Sequence, residues 1–229
     1  MKDIETALPG TVILINKPYK WTSFDVVRKI KNLIKAKKIG HAGTLDPLAT
    51  GLLILCTEKM TKQIDTYQGQ EKEYTGKLIL GKTTPSIDLE TDFNGDYPID
   101  HITEELIYET LKKFIGSIEQ TPPIYSAIKI DGKRAYTKAR KGKTEADVEI
   151  KSRIVEIKTF EITNINLPEI SFRIECSKGT YIRSLVRDFG EALQSGAYMS
   201  ELCRTRIGEF KLEDAKTIEY FIEAYPKTI

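Results

Sequence analysis

Residues Gly40 to Cys56 read GHAGTLDPLATGLLILC. One carboxylate, Asp46, stands among three glycines, two threonines and a histidine, immediately before Pro47 and at the mouth of an aliphatic run. A carboxylate held in such a loop can attack an electrophilic carbon or take a proton. Pro47 keeps Asp46 out of helical geometry, and Gly43 and Gly51 permit close backbone approach. An isolated Asp in a glycine-rich turn also commonly does no more than accept backbone hydrogen bonds. The rest of the chain narrows the chemistry. It has two histidines, His41 and His101, and three scattered cysteines, with no C-x-x-C, no G-x-S-x-G and no His/Cys cluster. Transition-metal, thiol and serine-triad chemistry are therefore not expected. A carboxylate, alone or with an arginine, is left to carry any reaction.

The elements that must position this loop can be read from periodicity. TVILINKP (11–18) predicts a short buried strand ended by Pro18. Thr22 and Asp25 form a capping-box pattern. The helix that follows puts Val26, Val27, Ile30, Leu33 and Ile34 on one face and Arg28, Lys31, Lys35 and Lys38 on the other, with Gly40 as its stop. LLILC then continues as a strand, and KEYTGKLIL (72–80) predicts another. Residues 84–101 predict a polar loop, 102–118 an amphipathic helix, and YSAIKI (125–130) a strand. DGKRAYTKARKGK (131–143) is a basic turn-and-helix excursion. Two alternating strands over 148–163 and in EISFRIECS lead to a helix over 180–195, a strand near 199–210 and a last helix near 213–224. Strands and helices mix without a regular βαβ alternation, so the class expected is α+β.

Two stretches imitate sites. GKLILGKT (76–83) matches the phosphate-loop pattern, but its middle residues make a strand and Pro85 stands where the helix should begin, so an ATPase is not expected. DLETDFNGD (88–96) resembles a calcium loop, but with Gly95 at the loop's sixth position the twelfth is His101 in place of an acid.

Composition is that of an ordinary globular protein: 229 residues, 40% hydrophobic and 30% charged, with a net charge of +2. There is neither an eighteen-residue apolar run nor an apolar N-terminal signal, so a cytoplasmic protein is expected, its cysteines reduced. The distribution of charge is more telling than its sum. Arg28 to Lys38 holds six basic residues and no acid, and Lys129 to Lys143 holds seven with one acid, Asp131. Two such runs point to a polyanionic partner.

The glycine-rich stretch resembles the catalytic motif of the TruB family of tRNA pseudouridine synthases. INKP with Lys17, TSFDVV, KEYTG, PPIYSAIKIDGKRAYTKARKG, CSKGTYIRSLVRDFG and LCRTRIG resemble further motifs in the family's order, over nearly the whole chain. The resemblance implies isomerisation of the uridine at position 55 in the tRNA T-loop, without cofactor or metal. It implies Asp46, Tyr74 and Arg183 as catalytic residues. Asp46 would act at the sugar, by attack on C1′ or by removing the proton at C2′. Tyr74 would stack on the flipped uracil, and Arg183 would pair with Asp46. His41 would fill the vacated stack or hold the loop. Leu52 and Leu202 would wall the pocket, with Tyr181 beside it. Lys17, Lys129, Lys133, Arg134 and Arg140 would contact RNA. The implied fold is one pseudouridine synthase catalytic domain over 1–229: a central, mixed, mostly antiparallel sheet flanked by helices, with a thumb-like basic insertion at about 122–150. Many bacterial members continue into a C-terminal RNA-binding domain of the PUA type, which is not expected here. Members often carry glycine where Lys20 stands, so a glycine-specific turn is not expected there either. A monomer is expected. The alternatives are a non-catalytic tRNA-binding or folding module and a guide-RNA-dependent relative, the latter disfavoured by the basic insertion.

Overall fold

Alternation sets the first strand: in VILINK, Ile13, Ile15 and Lys17 face inward and are buried, while Val12, Leu14 and Asn16 face the other side. The computed structural model describes residues 10–126, 128–130, 133–139, 147–148 and 150–226. In chain order the strands are β1 (Val12–Lys17), β2 (Ile39–His41), β3 (Thr50–Thr57), β4 (Lys72–Leu80), β5 (Lys82–Thr83), β6 (Gly95–Asp96), β7 (Gly116–Gln120), β8 (Lys129–Ile130), β9 (Lys133–Arg134), β10 (Arg153–Asn166), β11 (Glu169–Cys176), β12 (Ala197–Ile207) and β13 (Phe210–Lys211). The α-helices are α1 (Ser23–Leu33), α2 (Ile64–Gly69), α3 (Glu104–Leu111), α4 (Ala135–Ala139), α5 (Ile182–Ala192) and α6 (Ile218–Ala224). They divide between two compact units, one of 1–74 and 202–229 and one of 75–201. β4 and β12 each run from one unit into the other.

In the first unit β3 is central. β1 lies antiparallel along one edge, from Val12 opposite Cys56 to Lys17 opposite Gly51. The other edge pairs with β12 in parallel at Thr50 and Gly51 and with β2 antiparallel at Leu55 to Thr57. Ile13, Ile15, Val26, Ile30, Leu53, Leu55, Ile218 and Phe221 close one core between β1, β3, α1 and α6. Thr22 and Asp25 do form the capping box of α1, a device that contributes about 1 kcal/mol.

In the second unit β10 pairs antiparallel with β11 on one side and β7 on the other. Helix α5 lays Leu185, Val186 and Phe189 into the core. The Phe189 ring lies 5.4 Å from Phe160 and 5.7 Å from Phe114. The α+β class and the mixed, mostly antiparallel sheet match the sequence-based expectation.

Three local expectations are corrected. Helix α1 ends at Ile34, not Gly40, because Lys35 turns left-handed at φ +52° and Gly40 is drawn into β2 beside Cys56. The helix expected over 102–118 is α3 only. A 3-10 turn at Lys112–Phe114 follows, and pairing with β10 takes Gly116 to Gln120 as a strand, entered through Gly116 at φ +92°. Lys20 adopts φ +65°, the conformation that glycine serves best. The turn keeps its shape with a lysine in it. Lys20→Gly is predicted to raise stability by about 0.5–1 kcal/mol, read as a rise in the urea midpoint at unchanged slope. An unchanged or lowered midpoint would contradict the strain.

Candidate active site

Asp46 is half-buried, in a loop whose two neighbouring residues are each held by a side chain from elsewhere. On one side, the Leu45 backbone N–H donates to Ser23 Oγ at 2.9 Å, and that hydroxyl donates back to the Leu45 carbonyl at 3.2 Å. Ser23 is buried at the first position of α1, directly after its Thr22 cap. On the other side, Lys17 Nζ donates to the Pro47 carbonyl at 3.2 Å, and also to Trp21 O at 2.6 Å and Pro18 O at 3.0 Å. Both ends of the Leu45-Asp46-Pro47 tripeptide are therefore fixed.

A second buried cation shapes the flanks of the loop. Arg204, 1% exposed, donates from Nε to the Leu52 carbonyl at 2.8 Å and from Nη2 to the Gly43 carbonyl at 3.2 Å. Gly43 and Gly51 both have positive φ, +94° and +101°. A Cβ on Gly51 would strike the Arg204 backbone, with its nitrogen at 2.7 Å. Glycine is required at 51 by this close parallel pairing of β3 and β12 as well as by its φ.

Lys17 was expected to meet RNA. The structure corrects this: its side chain is fully buried and its ammonium is spent on three carbonyls. Burial lowers its pKa from 10.5 to about 8, against the attraction of Asp46, while Arg204 adds to the lowering. The inward-facing register of β1 was the available signal for this role. His41 lies on β2, half-buried, and its Nδ1 has no hydrogen-bond partner among the described residues. Burial lowers its pKa first, with the Arg204 charge acting in the same sense and the Gly43 backbone opposing, so the neutral imidazole is favoured. Leu52 is fully buried, and Tyr74 and Leu202 are each 8% exposed, all in this unit.

The other expected residues lie in the second unit. Arg183 is 3% exposed, a buried arginine on α5 rather than a surface one. It donates to the Ser86 carbonyl at 2.8 Å and the Tyr125 carbonyl at 2.7 Å, and its Nε lies 3.7 Å from Asp88 Oδ2. The segment expected as a polar loop is thus folded around a buried ion pair. Thr84 and Ser86 hydroxyls both donate to the Asp88 carbonyl, and the Glu90 N–H donates to its carboxylate. Tyr181 immediately precedes α5. For Lys129, Lys133 and Arg134 the backbone alone is described, as a short β8–β9 hairpin, and Arg140 lies outside the described residues.

The Lys17 shift has a pH consequence. Below pH 8 both folded and unfolded chains carry the proton, and burial of the ammonium opposes folding. Between about 8 and 10.5 the unfolded chain binds more protons than the folded one, so the stability contribution of this group rises with pH. The stability of wild type relative to Lys17→Met is predicted to increase across that window by on the order of 2–3 kcal/mol in urea unfolding. A difference that is flat with pH would contradict the buried charge.

Comparison with known proteins gives the family of the chain. Residues 31–182 match the TruB family pseudouridylate synthase N-terminal domain, and 183–228 match the tRNA pseudouridylate synthase B C-terminal domain. The tRNA pseudouridine synthase B of Flavobacterium johnsoniae is 55% identical over 227 residues, 96% of this chain and 98% of the relative. That of Chloroherpeton thalassium is 47% identical over 224 residues, 96% and 92% of the two chains. Among solved structures, a Cbf5-Nop10-Gar1 complex contains a chain with TM-score 0.73 and 32% identity, covering all of this chain and 59% of that one. An archaeal box H/ACA sRNP Nop10-Cbf5 complex gives TM-score 0.68 and 29% identity, over 93% of this chain and 53% of its counterpart. The chain thus spans little more than half the length of these structural neighbours. The chain belongs to the TruB family of pseudouridylate synthases.

Proposed function

We propose that this enzyme isomerises the uridine at position 55 in the T-loop of tRNA, with Asp46 as the carboxylate that acts at the sugar. The observation that carries the assignment of Asp46 is the double clamp on its neighbours. A carboxylate whose flanking carbonyls and N–H are held by Ser23 and Lys17 loses little freedom when it meets a reacting carbon. The T-loop position is supported by the resemblance of the motifs around Asp46, Tyr74 and Arg183 and by relatives named as tRNA pseudouridine synthases.

In this reading the uridine leaves its stack, because the glycosidic bond cannot be reached within it. Tyr74 stacks on the uracil. Asp46 attacks C1′ or takes the C2′ proton, the N1–C1′ bond breaks, the base turns, and C5 bonds to C1′. As C5 bonds to C1′ Asp46 leaves the sugar, or afterwards returns the proton it took to C2′; a base removes the proton from C5 and N1 takes one up, so the product has the atoms of the substrate and no electrons are gained or lost. Leu52 and Leu202 offer apolar walls that exclude water from the cleaved state. His41, neutral and half-buried beside the loop, suits the space left by the flipped base. Tyr181 and Arg183 serve the same reaction.

Binding rests on phosphates. Lys31, Lys35, Lys37, Lys38, Lys59 and Lys62 are exposed, and none makes an ion pair among the described residues. Two separate segments form this basic face. The Glu58 carboxylate joins them by accepting the N–H groups of Lys37 and Lys38 at 2.8 and 3.2 Å, with the Glu58 N–H bonded to Lys38 O. The acid at the centre of the patch is thereby engaged with backbone, and the lysine charges remain available to RNA. The protein is soluble without a membrane role in this reading, works in the cytoplasm and acts as a monomer.

The test is an unmodified tRNA transcript incubated with enzyme and no cofactor, with pseudouridine mapped by carbodiimide adducts and primer extension. A single new stop at the T-loop uridine is expected. Conversion elsewhere would overturn the position, and binding without conversion would make the chain a non-catalytic module. In the same preparations, Lys35→Gln with Lys38→Gln should lower the slope of log affinity against log salt by about 1 per lysine. An unchanged slope would remove this face from the interface.

A further inference from the structure

The strand ladder between β7 and β10 ends at Gln120 opposite Arg153. Both side chains of this last rung turn to one residue. The Tyr181 N–H donates to Gln120 Oε1 at 2.7 Å, and Gln120 Nε2 donates to the Tyr181 carbonyl at 3.1 Å. The Arg153 guanidinium lies over the Tyr181 ring, 5.1 Å from its centroid. We propose that the Gln120–Arg153 rung is a positioning device for the active site, holding Tyr181 by backbone and ring and, through it, setting the first turn of α5 that carries Arg183.

Burial and chemistry support this. Gln120 is 1% exposed in a strand whose other residues are not buried. A buried amide needs partners for both ends, and here the partners are the two polar groups of one backbone unit. That is the pairing a neighbouring strand would make, supplied by a side chain where the sheet has ended. Tyr181 is the N-terminal cap residue of α5 but makes no capping bond with its own side chain, so the entry to the helix depends on other contacts. The next residue after Gln120 continues the cradle: Thr121 O accepts Ser184 Oγ at 2.8 Å and Arg187 Nη2 at 3.2 Å. Four residues further, Tyr125 O accepts the Arg183 guanidinium. The segment 120–125 therefore touches α5 at Tyr181, Arg183, Ser184 and Arg187. Gly179 leaves room for Arg153: a Cβ there would stand 3.2 Å from its Nη1, and its φ of +83° suits glycine. A conservative loss at this rung shifts Tyr181 without touching substrate.

The inference rests on the reading that Tyr181 and Arg183 serve the isomerisation. Its test is single-turnover conversion of a tRNA transcript by the full chain at saturating enzyme, with tRNA affinity measured separately. Gln120→Leu is expected to slow conversion by about 10–100-fold while the dissociation constant stays within about threefold. Gln120→Glu keeps the acceptor for the Tyr181 N–H and loses the donor, so it should fall between wild type and Gln120→Leu. Arg153→Met should slow conversion less than Gln120→Leu does, and its effect should shrink in the Gln120→Leu background because both act on Tyr181. Arg183→Lys is measured beside them. A wild-type rate for Gln120→Leu with a slow Arg183→Lys overturns this inference alone. A wild-type rate for Arg183→Lys overturns the underlying reading of the site. A loss of affinity with an unchanged bound rate makes the rung an RNA contact and also overturns the inference. If Gln120→Leu does not fold, Gln120→Glu decides: a reduced bound rate supports the device, and a wild-type rate overturns it.

Discussion

A buried ammonium bonded to three backbone carbonyls is the interaction on which the rest of the first unit depends. Lys17 ends β1, and its charge holds Pro18, Trp21 and Pro47 together. Taking a lysine fully out of water is expensive, and three acceptors offset part of that cost here. The result ties the strand that enters α1 to the loop that carries Asp46. Ser23 makes the second tie from the first residue of the helix, so the capping box of α1 also indirectly orients the loop. Arg204 makes a third from β12, gripping the carbonyls of Gly43 and Leu52.

The second unit repeats the principle with different residues. Arg183 is buried and gives two of its donors to the carbonyls of Ser86 and Tyr125, with Asp88 as its nearby counter-charge. In both units a buried cation organises backbone, while lysines on α1 and in the turn after β3 stay exposed.

Much of this was legible in the sequence because short, strongly patterned segments coincide with the elements that matter. The alternation of β1, the Thr22–Asp25 cap, the amphipathic α5 and the glycine-rich loop were all readable from local spacing. The misreadings came where long-range contacts overrule local pattern. Residues 116–120 continue a helical pattern but pair with β10, a partner more than thirty residues away. Residues 84–101 read as a polar loop because nothing local tells that an arginine nearly a hundred residues later is buried against Ser86. Lys17 was expected to contact RNA from the resemblance of its motif, although its position in the alternation of β1 already pointed it inward. Lys20 shows the opposite case: a turn conformation that glycine favours is retained by a lysine, so the residue type concealed the geometry.

The most direct measurement of the central claim is single-turnover pseudouridine formation by Asp46→Asn, with tRNA affinity and unfolding followed on the same protein. Asn keeps the shape and the hydrogen-bonding reach of the side chain and removes the charge that attacks carbon or takes a proton. The variant is expected to fold, to bind tRNA as wild type does, and to form no pseudouridine. Conversion at the wild-type rate would show that the loop so firmly held by Ser23, Lys17 and Arg204 does not present the carboxylate that breaks the glycosidic bond.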